Sequence, residues 1–480
     1  MEQSILIIFR INHSCNSDRQ SIMPLQILIN SKMTYHVMRI SLVFVFLLIP
    51  IGDTAYDFLY AQSQETRPSV WNRKEFTGDW GGVRSRLDEK GFTLEINFAG
   101  DLMRNVAGGI EQGTAFLENI DFKLLIHTER LIGWSGSDIL VSGLQNNGKS
   151  LSSYVGDVEG VDNIEAQRTI RLYEAWLQQK LWANRISLLA GLYDVNSEFD
   201  FMESASLFIQ SSQGMGGDFA GSGLIGPPIF PAAGLGFRMK FIPGRRLYFQ
   251  TGIFDGSPGT LNSVKRPDLK LNDSGGSLVV AELGLLSFES NRHQLHEGLP
   301  TRHQRSHIGR EVAPNYQTKI AIGAWSYSKN YVEQRYVVIS TAINENRRDK
   351  GIYILADWKW NPNANKMYQQ LSIFSRVGIA DNEVSRFKSY FGGGVTFQGL
   401  IPGDQNGLIG FSVASTQDSK LYRRIHGDGH SSETALEWSY LTQVISWLNV
   451  QPDLQYVISP GAEPNIDNAW VLGLRVDVTL

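Results

Sequence analysis

The stretch Asp467–Leu480, DNAWVLGLRVDVTL, alternates without interruption. Trp470, Leu472, Leu474, Val476, Val478 and Leu480 fall on one side of an extended chain, and Ala469, Val471, Gly473, Arg475, Asp477 and Thr479 on the other. Successive side chains of a strand point to opposite faces, so the pattern predicts a strand between two different solvents.

The same pattern recurs upstream. In Thr93–Met103, Leu94, Ile96 and Phe98 oppose Glu95, Asn97, Ala99 and Asp101, and in Asn119–His127, Ile120, Phe122, Leu124 and Ile126 oppose Asp121, Lys123 and His127. Leu448–Ile458 repeats it around Pro452. A soluble sandwich alternates too, so number carries more weight than any single segment. From Phe92 onward about sixteen such stretches of roughly 9–12 residues can be read, the length and even number that a bacterial membrane barrel needs. Their centres fall near 97, 122, 141, 174, 189, 238, 250, 282, 323, 355, 375, 395, 411, 437, 453 and 475.

The connections are uneven. Ala183–Arg185 and Pro243–Arg245 are tight, while Asn196–Ala233 and Ser290–Gln317 are long. Alternation of short turns with long loops is expected of a barrel with a periplasmic and an external rim. The Gly- and Pro-rich GMGGDFAGSGLIGPPIFPAAG either folds inward to narrow a pore or stays an external loop, and composition does not separate the two. Aromatic pairs near strand ends, Tyr173 with Trp176, Trp325 with Tyr327, Trp358 with Trp360 and Trp438 with Tyr440, suit interfacial girdles or ordinary core packing.

Across the whole chain, 480 residues with 42% hydrophobic, 11% aromatic and 19% charged residues and 47 glycines favour β structure with many turns. A formal net charge of -4 is not that of a nucleic-acid binder, which carries a basic surplus. Residues 38–61 are expected to be a secretory signal peptide, with Arg39, an apolar run from Ile40 to Ile51 and a small residue at Ala61 for cleavage. Residues 1–37 read as an extension from a start codon assigned too early, and 62–90 as an N-terminal periplasmic segment with a short helix over Val83–Glu89. The single cysteine, Cys15, precedes the signal, so the mature chain has no disulfide or thiolate-metal chemistry. The barrel domain spans 91–480.

No P-loop, G-x-S-x-G or H-E-x-x-H motif is present. The best metal candidate, His293, His296, His303 and His307, lies among Arg292, Arg302, Arg305 and Arg310, which repel a cation, so no metal or cofactor is expected. Asp357 and Glu437 are carboxylates, but nothing in the sequence brings them to glycosidase spacing, and no enzyme is expected.

The segment FTGDWGGVRSRLDEKGFTLEINFAGD, followed by RLYEAWLQQKL, LLAGLYDVNSEFD, LFIQSSQGMGGDFA, PPIFPAAGLGFRMKF and IFDGSPG, resembles the OprB-like carbohydrate-selective porins. The likeness continues through GAWSYS, GIYILADWKW, FGGGVTFQGLIPGDQNGLIGF and ETALEWSY to the end, covering nearly all of the mature chain from about Phe76. The resemblance implies an all-β, sixteen-stranded, transmembrane antiparallel barrel of a bacterial outer membrane. It would pass mono- or oligosaccharides by diffusion, as a monomer or homotrimer set in outer-membrane lipid. Such barrels typically finish on Phe, read by the barrel assembly machinery. This chain finishes on Leu480, which puts assembly efficiency, not the fold, in question. The competing expectation is a plugged barrel serving as adhesin or scaffold, with Arg67–Lys90 as the N-terminal plug.

A sixteen-stranded barrel leaves an aqueous channel, so selectivity must come from groups that narrow it. A sugar offers hydroxyls and an apolar ring face, which call for polar groups and an aromatic surface. Alternation puts Leu172, Glu174, Trp176, Gln178 and Lys180 toward water and Tyr173, Ala175, Leu177 and Leu181 toward lipid. Glu174 and Trp176 are the expected sugar contacts. Arg238, Lys240, Glu95, Asp101, Asp357, Lys359, Arg376 and Glu437 are the further pore-lining candidates.

Overall fold

A computed structural model describes residues 69–258, 275–288, 316–332, 346–361, 369–426 and 429–480. Cys15, the signal segment, the 1–37 extension and the histidine-rich stretch lie outside the described residues. Sixteen antiparallel strands form a closed barrel in which sequence neighbours pair and β1 pairs with β16. The first eight are β1 Phe92–Gly109, β2 Gly113–His127, β3 Ser137–Gly148, β4 Thr169–Leu181, β5 Ile186–Tyr193, β6 Gly234–Phe241, β7 Leu247–Asp255 and β8 Ser277–Ser287. The second eight are β9 Thr318–Val332, β10 Asn346–Trp360, β11 Gln370–Ala380, β12 Phe387–Gln398, β13 Leu408–Asp418, β14 Ser432–Ile445, β15 Leu448–Ile458 and β16 Asp467–Thr479. Each expected centre falls inside one strand. The lengths spread more widely than expected, from 8 residues in β5 to 18 in β1.

Period-2 burial follows from closure. Leu102, Phe116, Ile253, Ile322, Ile354 and Leu472 are exposed on the outside, an apolar band that only lipid can cover. Closure also removes the sheet edges, so every wall strand has two partners and no open ladder meets the bilayer. No helix of the described residues is long and apolar enough to cross a membrane. Of the aromatic pairs, Trp358 and Trp360 face outward and stack at 6.2 Å, and Trp438 is exposed beside Phe411. Trp176, Trp325 and Tyr327 instead face inward and are buried, so they are core and not girdle.

The two long connections do not share a rim. Antiparallel order places β5–β6 at one end of the barrel and β8–β9 at the other, the end that also carries the short 182–185 and 446–447 turns. Loop length therefore alternates less regularly than expected. Residues 69–91 lie against that second rim and do not form the inward mass. The Phe76 amide donates to Thr479 O, the Trp447 indole to Val70 O, and the Arg84 guanidinium to Leu480 O at 2.8 Å. The helix expected over Val83–Glu89 is present and none of its residues is buried.

The seam at which the barrel closes is fastened by charge. Asp101 and Arg475 are register partners across β1 and β16, and Arg475 Nε donates to Asp101 Oδ1 at 2.8 Å. Arg475 also reaches Asp162 and Asn163, on the connection between β3 and β4. Removing one partner of a buried pair strands the other charge, at a cost of about 3–5 kcal/mol. Arg475→Ala is therefore expected to lower the denaturant midpoint of the refolded barrel, whereas Arg104→Ala, an exposed residue of β1, leaves it within error; midpoints of gel heat-modifiability in urea would measure both.

Candidate functional site

The interior is filled by the connection between β5 and β6, which turns into the lumen. Its polar atoms must be satisfied there, and the inward-facing side chains of the wall supply the partners. Glu198 is held by Arg238 at 2.8 Å and Lys240 at 3.4 Å from β6, and its carbonyl by Gln250 of β7. The Asp200 amide donates to Glu282 of β8, and Lys319 of β9 donates to Phe201 O. From β10, Lys359 pairs with Glu203, and Asp357 accepts from the Ser204 amide and hydroxyl and from Tyr316. Arg376 of β11 reaches Asp200 at 2.6 Å and Asp218 at 2.5 Å. Tyr390 of β12 donates to Ser212 O, and Gln213 donates to Val413 O of β13. Glu437 of β14 accepts from the Ile209 and Gln210 amides, and Gln451 of β15 donates to Leu207 O. Every wall strand from β6 to β15 thus holds a point of this loop.

A second connection, residues 149–168 between β3 and β4, also turns inward. Glu433 of β14 accepts from the Val158 and Glu159 amides, and Gln455 of β15 donates to Val161 O. The two loops also bind each other: Gln210 and Ser212 donate to Glu159, and the Asn163 amide to Ile209 O. Apolar packing closes the gaps. Phe219 stacks on Trp325 at 5.1 Å and Phe208 packs on Phe374 at 5.7 Å.

One cavity lies against β2, β3 and β4. A cavity of about 330 Å³ is bounded by Asp121, Lys123, Ser142, Tyr173 and Glu174 on the wall and by loop residues including Glu159, Glu165, Asp194, Gln213 and Phe230. Glu174 is buried and accepts from the Asp194 amide at 3.2 Å. Tyr173 donates its hydroxyl to Asp194 and sets its ring against Phe230 at 6.2 Å.

Tyr173 corrects the alternation read from sequence. The β3–β4 register slips between Ser142, opposite Glu174, and Gly143, opposite Leu172, so Tyr173 is the extra residue of a bulge. A bulge turns two consecutive side chains toward one face, which is why Tyr173 joins Glu174 in the cavity instead of facing lipid. Leu172, expected toward water, loses that phase at the same step.

The ten sequence candidates separate accordingly. Glu174 borders the cavity. Trp176 is buried in the apolar cluster with Leu140, Leu189 and Phe208 and is not itself among the residues that line the cavity. Arg238, Lys240, Asp357, Lys359, Arg376 and Glu437 face inward and hold the β5–β6 loop, while Asp101 engages Arg475 at the seam. Glu95 sits opposite Lys123 in register and accepts from Asn97. Asp357 and Glu437, the paired carboxylates of the sequence, serve different stretches of one loop. Sequence reasoning missed Asp194, Gln213 and Phe230, because a loop has no period to read, and Tyr173, because the bulge leaves no mark in composition. The described residues contain no cluster that holds a metal ion.

Two consequences are testable. Burial raises the Glu159 carboxyl to about 8 against hydrogen bonds from Thr416 and Ser212, and burial raises Asp157 to about 6. A carboxyl raised by folding contributes its stability fully below the unfolded value and loses it as pH rises through the folded one. Limited proteolysis of residues 149–168 is therefore expected to accelerate as pH rises from the ordinary carboxyl value of 4.5 to about 8 and to level off above it, and to do so less steeply in Glu159→Gln. Separately, a Cβ on Gly216 would meet Arg376 Nη1 at 2.0 Å, so the loop approaches its anchor more closely than any side chain permits. Arg376→Ala leaves Asp200 and Asp218 buried without their partner, which costs about 3–5 kcal/mol. Single-channel conductance is expected to rise in that variant as the loop leaves the wall.

The profile of the carbohydrate-selective porins of the OprB family matches residues 111–480. Porin B of Pseudomonas aeruginosa is 23% identical over 433 residues, covering 84% of this chain and 91% of that protein. The putative porin QuiX of Acinetobacter baylyi is 21% identical, covering 84% and 93%. The high-pH structure of Pseudomonas putida OprB aligns with a TM-score of 0.70 at 19% identity, covering 85% of this chain and 99% of that one. The low-pH structure of the same protein aligns at 0.51 and 16% identity. The sixteen-stranded barrel with its lumen narrowed from within, and a family match over more than three quarters of the chain, lead to one conclusion: this chain belongs to the OprB family of carbohydrate-selective porins.

Proposed function

We propose that the protein is an outer-membrane porin through which carbohydrates diffuse passively, with a weak internal binding site between β4 and the β5–β6 loop. The observation that carries the reading is the inward loop itself. A barrel of this size without it is a wide aqueous channel, and one filled entirely is a plug. Here the loop is pinned to β6–β15 and leaves a cavity of about 330 Å³ beside Tyr173, Glu174 and Asp194.

That cavity offers what a sugar requires. Carboxylates accept from hydroxyls, and the Tyr173 and Phe230 rings give an apolar surface for a ring face. Affinity must stay low, because a tight site would hold the sugar and stop flux. The proposal assigns Glu174 to substrate contact and Trp176 to support beneath the loop. Arg238, Lys240, Asp357, Lys359, Arg376 and Glu437 hold the constriction in shape, and no catalytic step is required. It further holds that residues 38–61 direct export across the inner membrane, that residues 62–90 stay periplasmic, and that the barrel assembly machinery inserts the protein as a monomer or homotrimer.

The test is conductance of the refolded protein in planar bilayers with glucose, a disaccharide and an uncharged non-sugar osmolyte titrated in turn. Saturable block by the sugars alone is the expected outcome. A heat-modifiable barrel without conductance would instead identify a plugged scaffold. Tyr173→Phe and Glu174→Gln are each expected to weaken sugar block by about 5–10-fold, the worth of one hydrogen bond of roughly 1–1.5 kcal/mol. Unchanged block in both variants would remove the β4 bulge from the site.

A further inference from the structure

The rim that carries residues 69–91 is uneven in charge. Its β4–β5 and β6–β7 turns lie side by side, since β5 pairs with β6 from Ile186 opposite Phe241 and the Ile242 amide donates to Arg185 O at 2.8 Å. These turns bring together Arg185, Arg245 and Arg246, all exposed. None of the three side chains has a hydrogen bond or ion pair with a described residue. The neighbouring charges are already matched. Lys180 lies 3.9 Å from Asp138, which the His127 ring meets at 2.9 Å, while Arg130 donates to Asp88 O and Glu129 accepts from Ser135. The described turns elsewhere on this rim carry no such cluster: Asp404 is the one charged residue of 399–407, and 446–447 has none. Three like charges on two touching turns repel, and an anion between them removes the repulsion.

Height and surroundings identify the anion. Leu181, Phe241, Leu247 and Leu285 adjoin the two turns and are exposed, so the apolar outer band reaches the turns themselves. β5 and β6 have 8 residues and β7 has 9. Strands of that length cover about 20–23 Å of the membrane normal at the usual tilt, no more than the height of the band. The arginines therefore stand at the depth of lipid headgroups. Trp182 stands beside them and, at 74%, is the most exposed of the large apolar side chains described. Trp182, Ala183 and Asn184 hold φ of 52°, 50° and 66°, left-handed conformations that Gly, Asn or Asp adopt with less strain than Trp. An amphipathic partner accounts for a strained turn that keeps a bare Trp, since the ring meets hydrocarbon and the indole N–H meets a headgroup.

From these observations we infer that the β4–β5 and β6–β7 turns form a binding site for an anionic glycerophospholipid of the periplasmic leaflet. Arg185, Arg245 and Arg246 hold its phosphate, and its acyl chains lie on Leu181, Phe241, Leu247 and Leu285. The arginine fork matches phosphate oxygens in pairs. A headgroup of net negative charge is favoured over a zwitterionic one, whose own ammonium the cluster repels. The site depends on the outer-membrane reading and is independent of what the channel passes.

Native mass spectrometry of the refolded full chain in detergent, with phosphatidylglycerol, phosphatidylcholine or lipid A added, reads the site. Phosphatidylglycerol is expected to be retained about ten-fold better than phosphatidylcholine at low salt, with the preference shrinking as salt screens it. The triple variant Arg185→Gln, Arg245→Gln, Arg246→Gln should bring the two to parity with sugar block and heat-modifiability intact. Each single variant should lose part of the preference, which keeps the test decisive if the triple variant does not fold. Arg104→Gln, on β1, should change nothing. Trp182→Asn, which relaxes the turn, should weaken retention without lowering the urea midpoint. Equal retention of the two phospholipids by the unaltered chain overturns the inference, and a preference that persists in the triple variant overturns its assignment to these turns. Displacement of the lipid by inorganic phosphate at equal concentration would reveal a simple anion site, and stronger retention of lipid A would put this rim in the other leaflet; either result overturns the phospholipid assignment.

Discussion

The structure depends on one constraint: backbone and carboxylates drawn into a barrel must find partners on its wall. The β5–β6 connection carries Glu198, Asp200, Glu203 and Asp218 inward, and each meets a cation at the matching height of a strand, Arg238 and Lys240, Arg376, Lys359, and Arg376 again. Arg376 is the hinge of this arrangement, since its fixed fork serves two carboxylates at once and its plane lies over the Tyr353 and Tyr390 rings at 5.5 and 5.0 Å. Buried charge of this density is costly when half-paired. The loop is therefore expected to behave as one body, seated or released.

Seating the loop determines where water remains. Its anchors run from β6 to β15, the β3–β4 connection is tied to β14, β15 and Arg475 of β16, and a cavity is left against the wall at β2 to β4. Barrel geometry alone would leave a passage of uniform character. The position of the anchors makes it eccentric, and the bulge at Tyr173 adds a ring and a hydroxyl to that side.

Wall polarity consequently has two meanings that a sequence does not distinguish. An inward charge such as Asp357 or Glu437 looks the same in period and composition as Glu174. The first two terminate on loop amides and hydroxyls, whereas the third takes the Asp194 amide and also borders the cavity. Trp176 shows the same ambiguity for an aromatic: it points inward as alternation requires, yet packs under the loop in an apolar cluster. Trp358 and Trp438, for which the sequence left girdle and core packing open, are exposed on the outer face.

The sequence by itself determined the strands, their number, the lipid-facing side of most of them and the family to which they belong. These rest on local alternation and on motif order, both of which are written residue by residue. Only the tertiary structure decided that the Gly- and Pro-rich connection folds inward, that most inward charges are its anchors, and that a register slip between Ser142 and Gly143 turns Tyr173 from lipid to lumen. Those outcomes depend on pairings between residues more than a hundred positions apart, such as Arg376 with Asp200 and Glu437 with Ile209, whose meeting is a property of the closed barrel and leaves no periodic trace in the chain.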